Sequence, residues 1–333
     1  MAILAPEASS RPTVSLVGVY TWRFLREAPK IPLTILTVLV VLAVFAPWIA
    51  PHDKLKPVKP SAEDCIAWFG IEKCPYIDDR PPFWGKEVRT VSNPLGGIQR
   101  IKVKEGRFNV VLGTDYLGRD ILSRLIYGAR ISLMVALTGT LAAGVIGTAL
   151  GILAGYLGGW WDHIIMRITD AWLTLPTLVF AILLSSIAGP SIKNVIIILA
   201  VVFWSRYARL VRGEVLALRE RDFIKLSEVT GVSTFRIIFR HLLPNVMNTV
   251  MVFFTLIVGV SIIIEANLSF LGVGVPPPEP AWGLMISQER ESLMEGKWWL
   301  AVFPGICIAL LVLSANMFGD WLRVKLDPQL KNR

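Results

Sequence analysis

Six stretches of predominantly apolar residues, 31–50, 129–153, 164–188, 192–211, 246–271 and 299–320, constrain this chain more than any other feature. A bilayer-crossing helix needs about 20 such residues. Inside lipid, only helices and closed barrels satisfy their own backbone groups. The pattern predicts an all-α polytopic membrane protein with six transmembrane helices and an extracytoplasmic insertion after the first. The balance of residues agrees: 54% are hydrophobic and 18% charged, where soluble domains carry about 25% charge. The chain divides into a tail 1–30, a first transmembrane helix 31–50, a loop and interfacial helix 51–128, a membrane core 129–322 and a tail 323–333. No small-residue cleavage site follows the first span, which reads as a retained anchor.

Lys and Arg in short loops set orientation. With the N-terminus in the cytoplasm, the inside holds the first tail, the loop 205–245 and the last tail, sixteen cations together. The short outside loops hold only Lys193, Arg290 and Lys297. The net charge of +9 therefore needs no nucleic-acid partner.

The loop 205–245 is itself patterned. It carries Arg206, Arg209, Arg212, Arg219, Arg221, Lys225, Arg236 and Arg240, too much charge for lipid. Asp222 is suited to cap a short helix and Gly231 to end it. Ser233 or Thr234 can then start a second helix that stops before Pro244. A basic helix pair between spans reads as a docking element for a soluble partner.

Residues 51–112 form the outside insertion. Ile101 and Val103 flank the turn Lys104–Arg107 together with the run Phe108–Val111, which predicts a β-hairpin. Cys65 and Cys74 lie in EDCIAWFGIEKC, either as a disulfide or as two separate thiols. Cys307 sits in the last span as an apolar packer. Asp115 is placed to cap an interfacial helix leading into the second span. Gly113 and Gly118 have the spacing of a phosphate loop, but Arg119-Asp120 replaces the required Lys-Ser/Thr. No nucleotide site is expected, so any ATP is hydrolysed by another chain.

Gly139, Gly144, Gly147, Gly151 and Gly155 mark a close-packing face on the second span, equally suited to the bundle or to a partner subunit. His52, His163 and His241 are scattered, and no catalytic or metal-binding grouping appears. Arg167 and Asp170, one turn apart, are expected to pair. Glu265, near the outer end of the fifth span, is a candidate pathway carboxylate, set against a structural role capping the Gly/Pro-broken turn after it or pairing with a neighbouring chain.

Four co-ordered stretches carry a specific resemblance: GTDYLGRDILSRLIYGARISL, GILAGYLGGWWDHIIMRITDAWLTLP, the loop ending FRIIFRHLLPN, and ANLSFLGVGVPPPEPAWGLMI. On these the chain resembles the permease subunits of binding-protein-dependent ABC importers, specifically the second permease of dipeptide/oligopeptide systems. The resemblance runs from about residue 112 to the end. In the family's cytoplasmic motif, Gly231, Leu243 and Pro244 match, while Lys225, Leu226 and Ser227 stand where the family has Glu-Ala-Ala. The resemblance implies a type I ABC importer permease fold and a translocation subunit rather than an enzyme. It implies as partners a second homologous permease, two cytoplasmic ATPases that bind the ATP and Mg, an extracytoplasmic peptide-binding protein and membrane lipid, with no cofactor in this chain. Phe223 to Gly231 is then the ATPase-coupling helix, with Asp222 as cap, Phe223, Ile224 and Leu226 as apolar anchors, and Lys225 and Glu228 as its charged positions. Close relatives of such permeases move nickel chelates, glutathione or other small solutes. An ion-coupled transporter is a remote alternative, which would need an internal repeat and midplane carboxylates.

Overall fold

The computed structural model describes residues 29–58, 66–68, 71–73, 80–92, 98–105 and 110–326. Its membrane part is helical. The first apolar stretch forms α1 (Lys30–Val44) and the short α2 (Ala46–Ile49), separated at Phe45 just before Pro47. The second is not a separate interfacial helix and span. It is one 37-residue helix, α3 (Ile121–Leu157). Asp120, not Asp115, caps it, accepting from the Ser123 amide at 2.9 Å. Asp115 instead accepts from the backbone amides of Leu117 and Arg119 and from the Arg119 side chain at 2.7 Å.

The third stretch is broken. The helices α4 (Gly159–Thr174) and α5 (Thr177–Ala188) meet at a 94° bend. Pro176 lies in that break, where it lacks an amide to continue a helix and pushes Leu175 into extended backbone. The fourth is α6 (Ile192–Arg219), longer than its apolar stretch because its charged end continues the helix. The fifth lies in α8 (Thr234–Phe270), which follows the short α7 (Asp222–Val229). The sixth is α11 (Trp299–Leu326), reached after the short α9 (Trp282–Gln288) and α10 (Arg290–Met294). Among the described residues, four helices, α3, α6, α8 and α11, are individually long and apolar enough to cross a membrane, and the bent α4–α5 pair passes the same test only when taken together as one broken segment. The 15-residue α1 is apolar but shorter than a span by itself requires.

The second helix of the charged loop does not stop before Pro244. Residues 238–242 form a π-helical turn that runs directly into Leu243–Phe270. Proline removes an amide and crowds the carbonyl four residues back, and the wider π turn relieves that crowding without ending the helix.

The glycines of α3 serve this chain's own core. They face α6, so that an added Cβ would lie 2.7 Å from the Ala208 carbonyl at Gly151 and 2.8 Å from Leu199 Cβ at Gly139. Close backbone approach then buries Leu199, Phe203, Tyr207, Val211 and Val215. A second cluster joins α1, α3, α8 and α11 around Leu39, Leu133, Ile262 and Leu311.

The insertion carries two antiparallel hairpins, β1 (Ile66–Trp68) with β2 (Ile71–Lys73), and β3 (Lys86–Ser92) with β4 (Ile98–Glu105). The expected hairpin across 104–107 is thereby corrected: Ile101 and Val103 belong to β4, and their partner strand lies upstream. Spacing and turn-forming residues near 104–107 do not determine which strand pairs with β4. The ends of the insertion are tied to the bundle. Val58 N donates to the Gly118 carbonyl at 2.8 Å, Arg80 N to Thr114 Oγ1 at 2.8 Å, and Lys54 pairs with Glu279 at 2.6 Å.

Candidate functional site

The functional candidates fall at the two ends of α8. Ahead of the N-terminal end of α8, α6 passes from apolar to basic sequence, and Arg221 turns the chain with extended backbone. Arg221, not Asp222, takes the cap position of α7, and no side chain caps it. Asp222 lies in the first turn, where its charge still favours the positive helix end. Gly231 closes the helix at φ +76, with Val232 N donating to the Ser227 carbonyl at 3.0 Å. That left-handed position favours glycine.

The three expected anchors divide. Ile224 is fully buried in the chain's own core beside Val215, Ile237, Leu242 and Val246. Phe223 and Leu226 face outward at 43% and 63% exposure, joined by Val229 at 86%. Val229 was missed from sequence, although its threefold spacing from Phe223 and Leu226 was a usable signal. Phe235 and Phe239, also exposed, stack at 4.4 Å between ring centroids on the first turns of α8. Lys225 pairs with Glu220 at 2.9 Å. The ammonium beside it holds the Glu220 carboxyl below the usual carboxylate range, and Glu220 in turn raises Lys225. Glu228 faces the Tyr156 hydroxyl at the foot of α3. Leu243 and Pro244 lie inside α8, beyond the π turn.

Nearby, the expected Arg167–Asp170 pair is replaced by contacts between helices. Asp170 takes Arg209 of α6, and Asp162 takes Arg212 through two bonds of 2.6 Å. A groove of about 860 Å³, lined almost wholly by carbon, with Phe235 and Phe239 among its lining residues, opens between α3, α8 and α11.

Toward the C-terminal end of α8, Glu265 is fully buried. Ser269 Oγ donates to its Oε1 at 2.8 Å and accepts from Val275 N at 3.1 Å. Glu265 thus braces the turn that follows α8. Ser132 of α3 lies beside it, and Thr140 and Ser261 bond across the same two helices at 2.7 Å. The chain then folds back so that α9 enters the bundle, Trp282 Nε1 donating to the Leu125 carbonyl at 3.0 Å. Gly283 sits against the Ala266 backbone with no room for a Cβ. Cys65 and Cys74 lie outside the described residues. Among the described residues, no group of three or more His, Cys, Asp or Glu side chains is placed to hold a metal ion.

The family model described as "Binding-protein-dependent transport system inner membrane component" matches residues 147–332. A di/tripeptide transport system permease protein of Pseudomonas aeruginosa is 37% identical over 87% of this chain and 84% of its own. A dipeptide transport system permease protein of Alkalihalophilus pseudofirmus is 44% identical over 66% and 72%. A glutathione transport system permease protein of Pectobacterium atrosepticum is 43% identical over 66% and 73%. Among solved structures, the inward-facing MetNI methionine ABC transporter matches with a TM-score of 0.50 at 16% identity, over 61% of this chain and 96% of that one. That likeness bears on the fold alone.

Proposed function

The chain belongs to the family of inner-membrane components of binding-protein-dependent transport systems, and we propose from that premise that it is one of two permeases in an ATP-driven peptide importer. The observation that carries the reading is α7. It is a short helix hung between two long ones, pinned from within by Ile224 and presenting Phe223, Leu226 and Val229 outward. Exposed apolar side chains on a charged loop suit burial by another protein.

On this reading α7 docks in a cytoplasmic ATPase, and two such chains supply the ATP and Mg. A second, homologous permease completes the pathway, and the groove between α3, α8 and α11 offers apolar surface for an assembled membrane complex. The N- and C-termini lie in the cytoplasm, as the distribution of Lys and Arg favours. The insertion lies outside, where a binding protein delivers substrate. Relatives named for dipeptides, di/tripeptides and glutathione support a short peptide as cargo, glutathione being itself a tripeptide.

The assembled complex tests this. Phe223→Ala with Leu226→Ala should leave the complex able to bind its external protein while abolishing binding-protein-stimulated ATP hydrolysis and uptake. Normal stimulation and uptake in that variant would remove α7 as the coupling element. Competition of labelled dipeptide uptake by glutathione, and the reverse, assigns the cargo.

A further inference from the structure

The helix α4 has no role in the reading above, yet its setting is specific. Its partner α5 runs alongside α6. Arg206 of α6 reaches Thr177 at one end, and Asn194 of α6 donates to the Ala188 carbonyl at 2.7 Å at the other. Twelve residue steps of α6 and eleven of α5 separate these contacts, about 18 and 16 Å. The two helices therefore run side by side and antiparallel, along the membrane-crossing direction of α6. The 94° bend then lays α4 across that direction.

The ion pairs agree. Asp162 and Asp170, about 12 Å apart along α4, meet Arg212 and Arg209, only about 4.5 Å apart along α6. The helix crosses α6 where its apolar sequence gives way to arginine, which is the level of the headgroups.

The surface of α4 has three faces. Ile165 and Thr169 are buried against the bundle. Trp160 and Trp161, exposed at 74% and 57%, share an outward apolar face with Ile164 and Ile168. His163, Arg167 and Asp170 form an exposed polar face beside it. Asp170 is neutralised by Arg209, and among the described residues no ion pair engages Arg167. Tryptophan concentrates at membrane interfaces, and helices of this pattern lie in the interface plane.

We propose that α4 is an in-plane helix that docks on anionic phospholipid. Its Trp160/Trp161/Ile164/Ile168 face lies among acyl chains, and Arg167 lies at the phosphates. The proposal rests on the permease reading only for the side of the membrane, the cytoplasmic leaflet.

The test uses the assembled transporter in membranes of phosphatidylcholine with and without phosphatidylglycerol. A diazirine-bearing amino acid replaces Ile164 or Ile168, both exposed and outside the core. Photolysis should give phospholipid adducts, detected by mass, with phosphatidylglycerol over-represented. Arg167→Gln should lower that over-representation about fivefold, as expected for one cation near an anionic surface. Adducts to another polypeptide, or no lipid adduct, would overturn the proposal, as would an unchanged lipid ratio in Arg167→Gln. Val324→Cys, exposed at the C-terminal end of α11 and away from the α7 surface, probed in sealed vesicles with an impermeant thiol reagent, reports orientation separately. Labelling from the outer side would reverse the leaflet and the orientation proposed above, and leave the in-plane contact standing.

Discussion

Glu265 is tolerated at zero exposure in a membrane helix because Ser269 satisfies one oxygen and, through the same hydroxyl, receives the Val275 amide. We propose on this geometry that Glu265 braces the turn after α8 rather than meeting cargo. Glu265→Gln should therefore leave uptake equal for free and N-acetylated peptides. Selective loss of the free-amine peptides would return Glu265 to the pathway. Glu265→Ala strands the Ser269 hydroxyl and should destabilise the purified complex by about 1–3 kcal/mol in thermal unfolding. Sequence marked Glu265 as unusual but did not decide between its two roles, because the deciding group is a serine, a residue with no distinctive signature. The Arg167–Asp170 expectation failed for a related reason. Helical spacing names neighbours on one helix, whereas Asp170 found Arg209 on another, and which helices touch is a tertiary fact.

At the scale of elements, α7 was legible because Gly231 and the switch from basic to apolar residues are local signals. Gly231→Ala must hold a φ of +76 with a Cβ, costing about 1–2 kcal/mol, and should lower coupled uptake more than complex assembly. The Lys225–Glu220 pair is fully exposed, and its pH behaviour follows from the two shifts. Glu220, depressed from 4.5, contributes above that value and fails as pH falls through its lower one. Lys225, raised from 10.5, contributes below that value and fails as pH rises through its higher one. Between about pH 5 and 10, ATPase docking should show no titration from this pair. Lys225→Glu sets like charges at Glu220 and should loosen α7, read as faster proteolysis of the loop. The end of the next helix was misread for a physical reason. Proline stops most helices, and nothing in the sequence announced that a π turn would carry this one through.

For the whole molecule, apolar length fixed the spans well wherever a helix is straight, and poorly at the broken α4–α5 pair, whose composition is apolar on both sides of Pro176. Strand pairing in the insertion was harder, since pairing depends on which segments meet. Deleting Lys86–Glu105, which leaves the ties at Lys54, Val58 and Arg80 in place, should preserve assembly with the ATPases and weaken docking of the external binding protein. Unchanged docking would exclude the β3–β4 hairpin from that surface. Ile66 pairs with Lys73, and Cys65 and Cys74 are the adjoining residues in sequence. Non-reducing alkylation should find both thiols blocked, a bridge that contributes about 2–3 kcal/mol in a chain-entropy estimate; free thiols would exclude it. The unbroken α8 has a mechanical meaning. At 37 residues it is about 55 Å long, well beyond the roughly 30 Å of hydrocarbon. One end carries the α7 loop and the other the Glu265 brace. A rod pivoting at its middle by about 10° swings each end by about 5 Å, in opposite directions. Leverage of that kind would turn a displacement at α7 into an opposite displacement at the Glu265 brace, toward the far end of the helix.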